Sequence, residues 1–285
     1  MIQKAPLADG GHIDFEVHGD SGPFLFLGSQ LYVTSMLPGG NELKPQYVDR
    51  LKGDYRVIVA DWPRGNGASS PALGESCTKE NAIADIHAIA DAAGAETFAW
   101  WGYSFGAAVG LQLCRNNPRI SAFVCGGFPP LAQPLSDMLY VVRKMAIPGA
   151  VVLPEGMELT EGMKQMGQQS IRFYESVAGN DDRQNVAEIT CPRMVLHDVK
   201  DVIELGGITH DLSMRTRAEE DTLKQMGWDV AWIETGQDHY AMVDAKAMVE
   251  ATEAAGVTTL IGFNYLKIPS VAYARAVSYT HLTLP

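Results

Sequence analysis

One short segment constrains the fold of this chain more than any other. Residues 98–113 have the sequence FAWWGYSFGAAVGLQL, in which an apolar run leads into Gly-x-Ser-x-Gly and then into a helical run. A serine at a sharp strand-to-helix turn has a strained backbone, so its neighbours on both sides must be small. Gly102 and Gly106 meet that requirement around Ser104. The segment predicts a strand, a tight turn that exposes the Ser104 hydroxyl, and a helix whose N-terminus faces it.

The rest of the chain alternates between two kinds of segment. Short apolar runs bounded by Gly, Pro or Asp indicate buried strands. They cover residues 24–27, 57–60, 98–101, 122–125, 194–196 and 230–233. Segments with helical periodicity, such as 81–93, lie between several of these runs. The alternation predicts an α/β domain with a mostly parallel central sheet and helices on both faces.

Residues 129–188 differ from the rest of the chain in composition and in the pattern of their apolar residues. Pro, Met, Gln and charged residues mix there without a strand-like run, and the apolar residues are spaced as in short amphipathic helices. We interpret this region as a helical cap inserted into a core formed by residues 1–128 and 189–255. An ordinary set of connecting helices is the alternative.

The amino-acid composition limits the kinds of binding partner that can be expected. A formal net charge of -12 argues against nucleic acid, whose binding depends on clustered Lys and Arg, and no polybasic membrane patch occurs. The four cysteines form no C-x-x-C pair and are expected to be buried free thiols. The N-terminal residues lack the apolar run of a signal peptide, and no apolar stretch reaches membrane-spanning length. These features predict a cytoplasmic protein without a nucleic-acid or membrane partner and leave its oligomeric state open.

The strand–Gly-x-Ser-x-Gly–helix segment resembles the α/β-hydrolase family, and the resemblance covers about residues 10–240 in the expected order. Residues 61–69, DWPRGNGAS, follow an apolar run and resemble the family's Asp-x-x-Gly-x-Gly-x-Ser loop. The resemblance implies the α/β-hydrolase fold with Ser104 as the nucleophile.

The resemblance also implies an oxyanion hole. Residues 24–30, FLFLGSQ, lie where the family usually has a strand followed by His-Gly, but the His is missing here. The sequence is similar to the loops of some enol-lactone hydrolases and related esterases. By position, the backbone N–H groups of Gln30 and Phe105 are the implied donors to a tetrahedral oxyanion.

His239 is the implied general base among seven histidines. In this family the base follows the nucleophile and the last core strand, and residues 235–240, TGQDHY, resemble that loop. A surface-loop histidine is the alternative interpretation. The other histidines precede Ser104, end a strand, lie in a polar loop before a helix, or lie in the C-terminal tail: His12, His18, His87, His197, His210 and His281.

The acid that orients the base is expected after the preceding strand. Residues 194–201, MVLHDVKD, resemble the family's His-Gly-x-x-Asp segment, and that alignment selects Asp201. Its carboxylate would accept a hydrogen bond from Nδ1 of His239. Asp198 is the alternative, because the Gly of the pattern is replaced and the register can slip.

The C-terminus has a separate resemblance. Residues from about 241 to 275 resemble the end of the nucleotide-binding domain in inositol-dehydrogenase-type oxidoreductases, and residues 278–285 resemble translated adapter sequence. We interpret residues 256–285 as a foreign extension, and a natural extension is the alternative. No Gly-x-Gly-x-x-Gly fingerprint accompanies the resemblance, so it does not support a dehydrogenase.

The resemblance to α/β hydrolases predicts a serine hydrolase that cleaves a small carboxylic ester or lactone through an acyl-enzyme, with neither a metal nor an organic cofactor. Amide, thioester and carbon–carbon bond hydrolysis stay open, because they use the same triad. The alternative of a different class is a non-catalytic α/β-hydrolase-fold protein that binds a small ligand.

Overall fold

The computed structural model describes residues 1–29, 40–62, 64, 74–145, 161–205 and 208–254. Within these ranges the chain forms ten strands and nine α-helices. The strands are β1 (Gln3–Pro6), β2 (His12–His18), β3 (Phe24–Gly28), β4 (Arg56–Ala60), β5 (Phe98–Tyr103), β6 (Ile120–Gly126), β7 (Arg193–Asp198), β8 (Val202–Leu205), β9 (Ile208–Asp211) and β10 (Asp229–Ile233). The helices are α1 (Gly40–Leu51), α2 (Lys79–Ala92), α3 (Phe105–Leu113), α4 (Leu135–Met145), α5 (Glu161–Val177), α6 (Asp182–Ala187), α7 (Leu212–Ala218), α8 (Glu220–Gln225) and α9 (Ala245–Ala254). Two 3₁₀ segments span Gly74–Ser76 and Asp238–Val243.

Eight strands form one sheet in the order β1-β2-β4-β3-β5-β6-β7-β10. The strands from β4 to β10 in this order are parallel, while β2 pairs antiparallel with both β1 and β4. The predicted mostly parallel sheet is therefore confirmed, and each of the six predicted apolar runs lies in a strand of it.

The sequence does not predict four of the strands, β1, β2, β8 and β9, because they are not continuous apolar runs. A continuous run marks a strand that is buried on both faces. The strands β1 and β2 lie at one end of the sheet, and β2 carries polar residues among its apolar ones. The strands β8 and β9 form a separate antiparallel hairpin. His210, which the sequence places in a polar loop, lies instead in β9 and is buried opposite Ile203.

Helices cover both faces of the sheet, as predicted. Neighbouring side chains of a strand point to opposite faces, and Trp100 and Trp101 of β5 do so here. Trp100 belongs to the core that includes residues of α2 and α3. Trp101 belongs to a second core that includes residues of α1 and α9. The sheet thus lies between two apolar layers.

Three helices, α4 to α6, lie between β6 and β7 in the chain, in the region expected to form the cap. Arg143 of α4 pairs with Glu175 of α5 at 2.7 Å, and Phe173 of α5 is fully buried. None of the helices in the described ranges is long and apolar enough to cross a membrane.

Candidate active site

Ser104 lies at the turn where β5 ends and α3 begins. Its backbone has φ 52° and ψ −117°, a conformation that costs a non-glycine residue about 1–3 kcal/mol. Hydrogen bonds hold it there: its N–H donates to Gly126 O at 2.8 Å, and its carbonyl accepts from the N–H groups of Ala107 and Ala108. Phe105 is the first residue of α3, where a helical N–H has no partner within the helix. Ser104 therefore stands at the positive end of a helix, next to an N–H group that has no partner within that helix.

The glycines around the turn are required by close backbone contact. A Cβ on Gly106 would lie 1.6 Å from Gly28 O, and one on Gly102 would lie 2.4 Å from Gly106 O. A Cβ on Gly28 would lie 1.9 Å from Cζ2 of Trp100. The Trp100 indole N–H donates to Gly106 O at 3.0 Å. The predicted need for small residues at 102 and 106 is confirmed, and the structure adds Gly28 to them.

His239 reaches Ser104 from the segment that follows β10. Its Nε2 lies 2.9 Å from Ser104 Oγ, and its side chain is buried. Two tyrosine hydroxyls fix the segment: Tyr103 donates to His239 O at 3.0 Å, and Tyr47 donates to Met242 O at 2.7 Å. Of the six histidines that the structure describes, His239 is the one that hydrogen-bonds Ser104.

Asp201 follows β7 and is fully buried. Its Oδ1 lies 2.7 Å from His239 Nδ1, and its Oδ2 lies 2.6 Å from His197 Nδ1. Burial raises the pKa of this carboxyl group, but the hydrogen bonds from His197 and His239 outweigh burial and bring the pKa below its usual range. Asp201 is therefore a carboxylate over the whole neutral range.

Asp198 has a different set of partners. Its Oδ2 accepts hydrogen bonds from Thr235 N at 2.7 Å and from Thr235 Oγ1 at 2.9 Å. Its Oδ1 accepts from Lys200 N at 3.0 Å. Asp198 thus anchors the start of the loop that leads to His239, whereas Asp201 contacts the imidazole itself.

Aromatic rings surround the residue after Ser104. The Phe105 ring lies 5.6 Å from Trp62, 5.1 Å from Phe173 and 5.7 Å from Tyr174, in each case edge to face. Phe173 and Tyr174 belong to α5, so one of the helices between β6 and β7 borders the turn at Ser104 directly. Burial raises the pKa of the Tyr174 hydroxyl far above its usual range, so this ring stays neutral.

One predicted site residue, Gln30, lies outside the described residues. Ser29, immediately before it, is buried with its Oγ 3.9 Å from the sulfur of Met242. The other predicted residues, Ser104, Phe105, Asp201 and His239, lie together at the ends of β5, β7 and β10.

Sequence reasoning missed two residues of this site. The sequence predicts no role for His197, which ends a strand, or for Tyr103, which is a variable residue of Gly-x-Ser-x-Gly. The four-residue spacing between His197 and Asp201 was visible in the sequence, but their contact depends on how the turn after β7 folds back.

Comparisons with known proteins agree with this architecture. A family with the alpha/beta hydrolase fold matches residues 37–146. Among curated proteins, "Putative carbamate hydrolase RutD" of Escherichia coli O157:H7 is 34% identical over 76 residues. That alignment covers 26% of this chain and 28% of the relative, so the chain matches little more than a quarter of the curated protein's length.

Solved structures match over far more of the chain. The enol-lactonase from Burkholderia xenovorans LB400 has a TM-score of 0.57 at 17% identity, covering 88% of this chain and 100% of that chain. A thermophilic esterase from Thermogutta terrifontis has a TM-score of 0.62 at 18% identity, covering 92% of this chain and 100% of that chain. At such identities the likeness concerns the fold and not a shared activity. The strand order, the turn at Ser104 and these matches together establish that the chain has the α/β-hydrolase fold.

Proposed function

We propose that this protein is a serine hydrolase that cleaves a carboxylic ester or lactone, with Ser104 as nucleophile, His239 as base and Asp201 as the acid that orients the base. One observation carries the proposal. Ser104 Oγ, both ring nitrogens of His239 and Asp201 Oδ1 form a continuous chain of contacts at 2.9 and 2.7 Å. A serine hydroxyl is a weak nucleophile, and an adjacent oriented base is what activates it.

The reaction begins as Ser104 Oγ bonds to the carbonyl carbon and its proton passes to His239 Nε2. The carboxylate of Asp201 beside Nδ1 stabilises the imidazolium that forms. His239 then gives this proton to the departing alkoxide oxygen, which leaves an acyl group on Ser104. Water repeats the sequence: it loses a proton to His239 and attacks the acyl carbon. His239 then gives this proton to Ser104 Oγ as the bond between Oγ and the acyl carbon breaks, which releases the acid and free Ser104. These steps need no metal and no organic cofactor.

The charge that develops on the carbonyl oxygen needs hydrogen-bond donors. The Phe105 N–H lies at the first position of α3, where it has no partner within the helix, and it adjoins Ser104, which supports it as one donor. By family resemblance the second donor is the backbone N–H of Gln30, in the segment that follows β3 and Ser29.

The substrate class is inferred from the apolar surroundings and from the relatives. We propose that residues 129–188 form a cap on the core of residues 1–128 and 189–255, and that its aromatic residues beside Phe105 favour an apolar acyl or alcohol group. The two similar solved structures are named as an enol-lactonase and an esterase, which favours oxygen esters and lactones. The partial relative named as a carbamate hydrolase makes carbamates the next class to test.

The first experiment is labelling of the native protein with a fluorophosphonate probe, which reacts with activated serines. We expect one probe per chain, located by mass spectrometry on Ser104, and no labelling of Ser104→Ala at an unchanged melting temperature. A folded wild-type protein that stays unlabelled would contradict the proposed function and favour a non-catalytic ligand-binding protein.

A substrate panel then refines the class. Hydrolysis of p-nitrophenyl esters of increasing acyl length, of simple lactones and of aryl carbamates should give the highest kcat/KM for an ester or lactone and none for Ser104→Ala. A strong preference for carbamates would move the assignment to that class while leaving the triad unchanged.

A further inference from the structure

His197 is a second imidazole on the carboxylate of Asp201. Its Nδ1 lies 2.6 Å from Oδ2, while His239 Nδ1 lies 2.7 Å from Oδ1, so each carboxylate oxygen has its own histidine. His197 is 1% exposed and does not contact Ser104 in the hydrogen bonds of the described residues. Any role it has in the reaction must therefore act through Asp201.

The His197 ring is fixed on all sides. Its Nε2 lies 2.9 Å from Thr216 Oγ1, so both ring nitrogens are engaged. In the parallel pairing of β7 with β10, His197 lies opposite Trp232, and the two rings stack at 5.8 Å between centroids with 30° between their planes. The guanidinium of Arg217 lies 4.1 Å from the centroid of the Trp232 ring.

The contact with Asp201 requires a proton on Nδ1 of His197, because a carboxylate only accepts hydrogen bonds. The tautomer with that proton donates to the carboxylate of Asp201, and its Nε2 is hydrogen-bonded to the hydroxyl of Thr216. This tautomer supplies a donor to a carboxylate that is buried away from water, where an anion without such partners is costly.

We propose that His197 is a positioning residue of the triad, which holds Asp201 as an anion in the orientation that presents Oδ1 to His239. A carboxyl group rotates broadly about its Cβ–Cγ bond unless both oxygens are bound. The N–H groups of Leu212 and Ser213 bind the main-chain oxygen of Asp201 and leave that rotation free. The hydrogen bond from His197 is the contact that stops it. This inference rests on the proposed function, since it concerns the reactivity of Ser104.

Two amide substitutions at position 197 separate positioning from packing. In His197→Asn the side-chain NH₂ takes the place of Nδ1 and can donate to Asp201, whereas in His197→Gln the amide nitrogen takes the place of Nε2 beside Thr216. His197→Leu removes both hydrogen-bonding groups. His87→Leu is the matched control, because it removes a half-buried histidine of α2 whose partner is Asn117.

The measurement is the rate of fluorophosphonate labelling of the full chain, which requires no knowledge of the natural substrate. We expect His197→Asn to label within about threefold of wild type, and His197→Gln and His197→Leu to label about tenfold or more slowly, because a hydrogen bond to a charged group is lost. His87→Leu should label at the wild-type rate. With a substrate from the ester panel, the loss should appear in kcat with KM little changed.

The possible failures are distinguishable. If the wild-type protein is not labelled, the proposed function is wrong. If it is labelled and His197→Asn and His197→Gln, both folded by melting temperature, react equally fast, the positioning role is wrong. If His197→Leu does not fold, the amide pair still decides, since both amides keep a polar group at the buried position.

Discussion

The nucleophile side of the proposed site, where β5 turns into α3, is held by close approach of backbones, whereas its proposed acid–base side, after β7 and β10, is held by side-chain hydrogen bonds. At the turn, Gly28 O lies where a Cβ of Gly106 would stand. On the acid–base side, Asp201 and Asp198 each bind groups from other segments of the chain. One part of the site thus depends on steric packing, and the other depends on hydrogen bonding.

This difference determines which substitutions each side tolerates. The turn cannot accommodate a larger residue at Gly106, because the atom in the way is the backbone oxygen of Gly28, and backbone atoms move little. The acid–base side has room for residues of equal size, but loss of one hydrogen-bonding partner leaves another buried polar group unsatisfied. Tyr103 connects the two sides, since it belongs to the turn and its hydroxyl binds His239 O.

The largest effect is expected at the turn. Gly106→Ala places a methyl group 1.6 Å from Gly28 O, so β3 and α3 must separate. We expect a loss of at least about 3 kcal/mol in the free energy of unfolding, or no soluble protein, measured by chemical denaturation.

A glycine in open space provides the control for that prediction. Among the described residues, no atom outside its own stretch of helix lies within 4 Å of a Cβ on Gly167, which lies inside α5. Gly167→Ala should stabilise the protein by about 0.5–1 kcal/mol. Equal stability of the two alanine variants would show that the turn is not sterically closed.

The next largest effect distinguishes the roles of the carboxylates of Asp201 and Asp198. In Asp201→Asn the amide cannot accept from His197 and His239 together, so the orientation and tautomer of His239 are lost, and we expect labelling and hydrolysis to fall about 10³- to 10⁴-fold. Asp198→Asn weakens the anchor of Thr235 and should cost about 1–2 kcal/mol of stability with less than a tenfold loss of rate. A greater loss of rate in Asp198→Asn would reverse the assignment of the acid.

Much of this architecture could be predicted from the sequence, because buried parallel strands are continuous apolar runs and the turn at Ser104 has a strict steric requirement. The helix predicted at 81–93 corresponds to α2. The interpretation of residues 256–285 as foreign stays a prediction, since residues 255–285 lie outside the described ranges.

Contacts that depend on the folding back of loops could not be predicted. His197 and His210 have similar sequence surroundings, yet the first binds the carboxylate of Asp201 and the second is buried in β9 with no partner for its Nε2 among the described residues. Position 28 requires a glycine because the Trp100 side chain packs against it, and Trp100 lies more than seventy positions later in the chain. Sequence patterns carry local periodicity, and these contacts are set by the pairing of distant strands.

The smallest effect concerns stability in acid and distinguishes the acid–base side from the helices between β6 and β7. The pKa of Asp201 is lowered in the folded protein, where hydrogen bonds from His197 and His239 outweigh burial, so the unfolded chain binds the proton more readily. This group therefore stabilises the fold above about pH 4, the unfolded pKa, and the contribution is lost as the pH falls through the lower folded pKa. In Asp201→Asn, the free energy of unfolding measured by urea denaturation should therefore rise less steeply with pH between about pH 3 and 5.

Asp182 of α6 provides a comparison of opposite sign. Burial raises the pKa of its carboxyl group, although the N–H of Gln133 donates to it at 2.7 Å. The folded protein then holds the proton at pH values where the unfolded chain has lost it, so this group destabilises the fold as the pH rises through that window. Asp182→Asn should steepen the rise of stability with pH where Asp201→Asn flattens it. If both substitutions shift the slope in the same direction, the carboxylate of Asp201 is not held by its two histidines in the way that its hydrogen bonds indicate.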